Sequence, residues 1–173
     1  LIQQPFITPL HNGKFGVVVT SGFSHGASQG YIWILNVADG SIIKEIVIPS
    51  AGGIGQPAVV DLNRDKIPDR LIVGDTLGNL WRFDITSSLV ANWKPPITLL
   101  SGTTPLPFYV AKDAAGTRQP ITGPVNTVFD SKGRHMVLFG TGSYYLSGDN
   151  QIGASPQVQT LYGVLDTGVA ISD

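Results

Sequence analysis

The sequence predicts an all-β chain built from repeated antiparallel sheets. Three observations carry this reading. Short β-branched and aromatic runs recur along the whole length, 21 glycines and 12 prolines supply turns between them, and no segment shows sustained helical periodicity. At 173 residues the chain is long enough for one domain with a core, and charged residues make up only 13% of it.

The N-terminal residues 1–13 are polar and contain proline, so no element is assigned to them. Phe15 to Gly22 forms a β-branched strand ended by glycine, followed by a loop from Phe23 to Gly30. Tyr31 to Val37 is a second strand, Ala38-Asp39-Gly40 a hairpin turn, and Ile42 to Ile48 a third strand, which together make one meander. A strand from Gln56 to Val60 enters the polar loop 61–69, and Arg70 to Asp75 leaves it. Thr76-Leu77-Gly78 then turns the chain into Asn79 to Ile85, whose bulky alternate residues suit packing between sheets. Ser87 to Asn92 has the composition of one helical turn. His135 to Gly142 and Thr160 to Asp166 repeat the earlier pair.

The repeated unit is a branched strand ending in glycine, a turn of variable length, and a strand with a central aromatic and an aspartate near its end. Copies begin near residues 15, 71 and 136, a longer spacing than the roughly 40 to 50 residues of common propeller repeats. A Pro-rich inserted connection from Asn92 to Pro124 explains part of the excess. The expected architecture is therefore part of one β-propeller domain, with antiparallel blades of the quinoprotein-like kind. Three to four blades are too few to close most propellers, and the chain begins with Leu1, so it is expected to be a piece of a longer polypeptide with any targeting segment outside it.

The loop Asp61-Leu62-Asn63-Arg64-Asp65-Lys66-Ile67-Pro68-Asp69 is the strongest candidate site. Oxygen-bearing side chains fall at loop positions 1, 3, 5 and 9, where a tightly wound loop turns alternate residues toward one point, and position 7 offers its carbonyl. Asp61, Asn63, Asp65 and Asp69 would supply side chains and Ile67 its backbone. Three carboxylates within nine residues repel one another unless a cation compensates them, and hard oxygen donors favour Ca2+ over magnesium, zinc or copper. The competing reading is a polar turn between strands. A helix-loop-helix calcium hand is excluded, since Lys66 and Ile72 replace its position-6 glycine and position-12 glutamate. A weak-to-moderate site follows, with a dissociation constant of about 10⁻⁴ to 10⁻³ M or somewhat tighter.

Other features point away from catalysis and from other partners. A net charge of −1 provides no field to attract nucleic acid or an anionic membrane, no apolar run approaches a membrane span, and cysteine is absent. Neither a nucleophile elbow nor a phosphate loop nor a dinucleotide fingerprint is complete; Gly140-Thr141-Gly142-Ser143 reads as a tight turn. His11, His25 and His135 lack partners at metal-ligand spacing and read as surface or turn residues. Trp33, Trp81 and Trp93 suit a stacking platform, but strand-centred aromatics read first as core. Asp39, Asp75, Asp84 and Asp166 each follow a strand and read as turn caps.

Taken in order, these motifs resemble the C-terminal β-propeller of the PilC/PilY family of type IV pilus biogenesis and tip-adhesin proteins. The resemblance lies in Pro57 to Asp65, Asp69 to Gly74-Asp75 and Gly78-Asn79-Leu80-Trp81-Arg82-Phe83-Asp84. It continues through Gln119 to Thr122, Phe139 to Tyr145 and Leu161 to Asp166, covering nearly the whole chain. The chain departs from the family pattern at Arg64 and Lys66, where relatives often carry glycine; a left-handed backbone there would strain the loop and affect affinity. The resemblance implies a non-enzymatic, exported protein of the bacterial cell surface or outer membrane that uses calcium to regulate pilus extension against retraction, twitching motility and adhesion. Its implied partners are pilins or other pilus components and host-cell surface ligands.

Two alternatives stay open at this point. The G-D-x-x-G-x-L pattern also resembles quinoprotein dehydrogenase propellers, although no vicinal cysteine pair or cofactor-binding set is present. The D-x-N-x-D-x-x-x-D loop is similar to that of integrin-like adhesion propellers, of which this chain has one copy and no Arg-Gly-Asp tripeptide.

Overall fold

A computed structural model describes residues 4–23, 29–49, 52–145 and 147–171. It contains thirteen strands among the described residues: β1 (Phe6–Pro9), β2 (Phe15–Thr20), β3 (Gln29–Asn36), β4 (Ile42–Pro49), β5 (Ala58–Val60), β6 (Arg70–Gly74), β7 (Asn79–Asp84), β8 (Leu100–Ser101), β9 (Thr104–Pro105), β10 (Tyr109–Val110), β11 (Asn126–Phe129), β12 (His135–Gly140) and β13 (Leu161–Leu165). They form three antiparallel blade sheets, ordered β1-β2-β3-β4, β10-β7-β6-β5 and β11-β12-β13, with β8 and β9 as a separate hairpin. The fold is the expected all-β one.

Burial explains the order of the sheets. The middle sheet is apolar on both faces: Leu71, Val73, Trp81 and Phe83 pack against Val18, Ile32, Ile34, Ile46 and Ile48 of the first sheet. Ile72 and Leu80 face the other way, toward Val137, Phe139 and Val164 of the third. This is why Leu71-Ile72-Val73 is a continuous apolar run whereas β2 alternates. Gly74 is placed by the same packing, because a Cβ there would collide with Ile121 Cγ2.

The hairpins share a turn of pattern D-x-x-G. Asp75, Asp113 and Asp130 each accept from the amides two and four residues ahead, and Gly78, Gly116 and Gly133 adopt positive φ at the third place. Asp39 likewise caps its own turn through Ser41.

The structure differs from the sequence reading in several places. Residues 6–9 form β1, paired with β2 despite Pro9, because an edge strand tolerates a missing N–H at its end. The stretch 92–124 contains β8 and β9, and Tyr109–Val110 pairs with Leu80 and Asn79 as the fourth strand of the middle sheet. Within Ser87 to Asn92 only Val90–Asn92 is helical, as a 3₁₀ turn. Gly142 makes a parallel bridge to Ile121 instead of a tight turn. No helix among the described residues is long and apolar enough to cross a membrane.

Candidate metal loop and family

The loop 61–69 joins β5 to β6 and is closed at its neck by the Asp69 amide donating to the Val60 carbonyl at 2.7 Å. Inside it, backbone amides converge on side-chain oxygens. Asp61 Oδ1 accepts from Arg64 N at 2.6 Å and Asp65 N at 3.2 Å, and its Oδ2 accepts from Lys66 N at 2.7 Å. Asp65 Oδ1 accepts from Ile67 N, and Asn63 Oδ1 from Asp65 N. These amides point inward because Arg64 and Lys66 take left-handed conformations, φ 66° and 71°. They are the two positions singled out for glycine, and a non-glycine residue there costs roughly 1–2 kcal/mol.

Asp61, Asn63 and Asp65 therefore share the interior of one turn, and the Asn63 amide reaches Asp65 Oδ2 at 3.0 Å. Asp69 sits at the neck. It is buried, accepts from Leu62 N at 2.7 Å, and lies 3.2 Å from His11 Nε2 on the β1–β2 turn. The Ile67 amide holds the exposed Asp65 carboxyl below its ordinary range; the Asn63 amide and the charge of His11 act in the same direction against partial desolvation.

Among the described residues, no three His, Cys, Asp or Glu side chains gather as a ready-made metal cage. The loop's donor chemistry nevertheless fits a hard cation. Asp61 Oδ2 and both Asp65 oxygens each accept one hydrogen bond and keep a lone pair, and the Ile67 carbonyl accepts no hydrogen bond among the described residues.

A second polar cluster lies between the middle and third sheets. Asp166, fully buried at its carboxylate, accepts from Arg82 Nη1 at 2.6 Å and Arg70 Nη1 at 2.7 Å, with His135 Nδ1 at 3.4 Å. Asp84 sits 3.4 Å from Arg70 Nε and 3.5 Å from Arg82 Nε. Asp84 and Asp166 thus do more than cap turns, and His135, expected at the surface, is buried beside Phe129. Two guanidinium groups and two carboxylates balance, and the cluster joins the two sheets. Its signal in the sequence was a charged residue inside an otherwise apolar strand, at Arg70 and Arg82. His25 lies outside the described residues.

Trp81 and Trp93 are core residues, and Trp81 Nε1 donates to the buried Asp75 carboxylate. Trp33 departs from the core reading. It is half-buried on the other face of the first sheet, stacked on Tyr31 with ring centroids 5.3 Å apart.

Comparison with known proteins places these features. The family model described as the PilY1 beta-propeller domain matches residues 1–171. The chain is 30% identical over 179 residues to a type IV pilus biogenesis factor PilY1 homolog of Xylella fastidiosa (strain Temecula1), covering 95% of the chain and 12% of that protein. It is 32% identical over 180 residues to type IV pilus biogenesis factor PilY1 of Pseudomonas aeruginosa (strain PAK), covering 94% of the chain and 15% of that protein. The crystal structure of the Pseudomonas aeruginosa PilY1 C-terminal domain superposes with a TM-score of 0.82 at 28% identity, over 97% of this chain and 37% of that one. The chain thus spans about one seventh of the curated relatives' length, and it belongs to the PilY1 β-propeller family of type IV pilus biogenesis factors.

Proposed function

We propose that this chain is a calcium-binding portion of a surface propeller in a type IV pilus biogenesis and adhesion protein, with calcium biasing pilus extension against retraction, twitching and attachment. The observation that carries the proposal is the loop 61–69, where the carboxylates of Asp61 and Asp65 share one turn with the Asn63 amide oxygen and the Ile67 carbonyl. Asp61, Asn63, Asp65, Asp69 and the Ile67 carbonyl would hold the ion. Calcium would neutralise the carboxylates and favour the wound state of the loop. A ligand shifts such an equilibrium only through its differential affinity for the two states.

The loop's placement supports this reading. It touches the first sheet through Asp69 and His11, and the Arg64 guanidinium lies over the Phe129 ring of the third sheet at 5.7 Å. Ordering it would fix a surface that spans three blades and faces a pilin, another pilus component or a host-cell ligand. The relatives' names as pilus biogenesis factors support a non-enzymatic role at the cell surface or outer membrane.

Calorimetric titration of calcium into the chain, beside an Asp61→Ala/Asp65→Ala variant, tests the site. Saturable heat in the parent and none in the variant is expected. Heat absent from a folded parent would sink the calcium role, and full pilus assembly and twitching in a strain carrying the variant would sink the regulatory one.

A further inference from the structure

We propose that the outer edge of β4 and the cleft beside it dock an extended peptide with an apolar and an acidic residue two positions apart. β4 ends the order of its sheet, and its outward backbone groups make no hydrogen bond to any other element among the described residues. Such an edge is a template for strand addition. Blades pack through their faces, as the first and middle sheets do here, so a further blade would leave this edge open.

Beside the edge runs a cleft of about 420 Å³, a volume within the range of ligand sites. Phe83 and Trp93, almost wholly buried, underlie its floor, with Ile46 on one wall and Leu100 and Pro105 of the β8–β9 hairpin on the other. Lys44 and Lys94 also line it, and neither is ion-paired among the described residues. Glu45 lines the same cleft, but its Oε2 accepts from Trp33 Nε1 at 2.8 Å and its strand parity is that of Val47, whereas Lys44 shares the parity of Ile46 and Ile48, so the cleft keeps a net positive charge of one. An added strand repeats every two residues, so an apolar side chain directed at Phe83 and Trp93 is followed two positions on by one directed at the lysines. Charge complementarity makes that second side chain a carboxylate. The hairpin that forms the far wall belongs to a separate sheet and leaves β4 unpaired.

The test titrates the full chain into fluorescein-labelled peptides and follows anisotropy. The probe is a twice-repeated Val-Thr-Asp-Thr, with variants carrying Leu or Phe for Val. Controls carry Lys for Asp, or Pro for Thr to abolish strand pairing. Saturable binding of the acidic probes is expected, at least tenfold weaker for both controls and for a Lys44→Glu/Lys94→Glu variant whose thermal melt is unchanged. Amide shifts of Lys44 to Val47 and of the Trp93 indole should accompany binding. Should that variant fail to fold, Lys44→Gln/Lys94→Gln replaces it with the same expectation. Absence of binding by all three acidic probes, equal binding of the Lys or Pro controls, or amide shifts confined to other sheets would overturn the proposal.

Discussion

Arg82 and Asp166 meet at 2.6 Å across the boundary between the middle and third sheets, with both side chains almost fully removed from solvent. Arg70 takes the other carboxylate oxygen, so one aspartate holds two strands of the neighbouring blade. Removing one partner of a buried pair leaves an uncompensated charge, which typically costs about 3–5 kcal/mol. Asp166→Ala should therefore destabilise the chain on that scale, measured by urea denaturation. An unchanged midpoint would show that the sheets do not depend on this contact.

The same aspartate predicts an acid transition. Burial alone would raise its pKa, but the His135 hydrogen bond, the charges of Arg82 and Arg70 and the Gly168 amide together bring it down to about 2. A carboxyl depressed in the folded state contributes stability above its unfolded pKa and loses it as pH falls toward the folded one. Stability should thus decline between about pH 4 and pH 2 by roughly 2 kcal/mol from this group. Relative to the parent, an Asp166→Asn variant should show a flatter profile in that window.

Arg64 and Lys66 separate two consequences of the wound loop. Both carry positive φ, so glycine relieves strain at either place. Lys66 has no further contact of note, and Lys66→Gly should stabilise the chain by about 1 kcal/mol, a rise in Tm of roughly 2–4 °C. Arg64→Gly also removes the guanidinium from above Phe129, so its net effect should be smaller. Equal gains at both positions would show that the ring contact contributes nothing.

Asp75 is buried and accepts from Leu77 N, Asn79 N, Asn79 Nδ2 and Trp81 Nε1. Burial pushes its carboxyl up, against the pull of those donors. Trp81→Phe removes one donor and part of the buried ring volume, so a loss of about 1–3 kcal/mol is expected. Asp75→Ala strands several donors and should cost about 3 kcal/mol or more. Chemical denaturation of the two variants measures the difference.

Gly74→Ala would push a methyl into Ile121, with a cost of about 1–3 kcal/mol. Ile121→Ala removes the Cγ2 methyl that the new Cβ meets, so the two substitutions together should cost less than the sum of their separate losses, a non-additivity read from a double-mutant cycle. Strict additivity would show that the two residues do not touch in solution.

Local information carried much of this. The period-two pattern of β2 and β3, the continuous run in β6 and the oxygen spacing from Asp61 to Asp69 are properties of neighbouring residues, and each reads directly from the chain. β10 and β11 did not. Tyr109–Val110 is too short to show a period, and Asn126–Phe129 is a strand because β12 supplies its partners. Tertiary packing alone decided that Arg70 and Asp166, 96 residues apart, would share one buried contact, that Asp69 would turn to His11, and that Trp33 would leave the core. A pattern states which face of a strand avoids water. Which sheet covers that face, and which charges become neighbours when it does, depends on the long-range docking of blades that no local window contains.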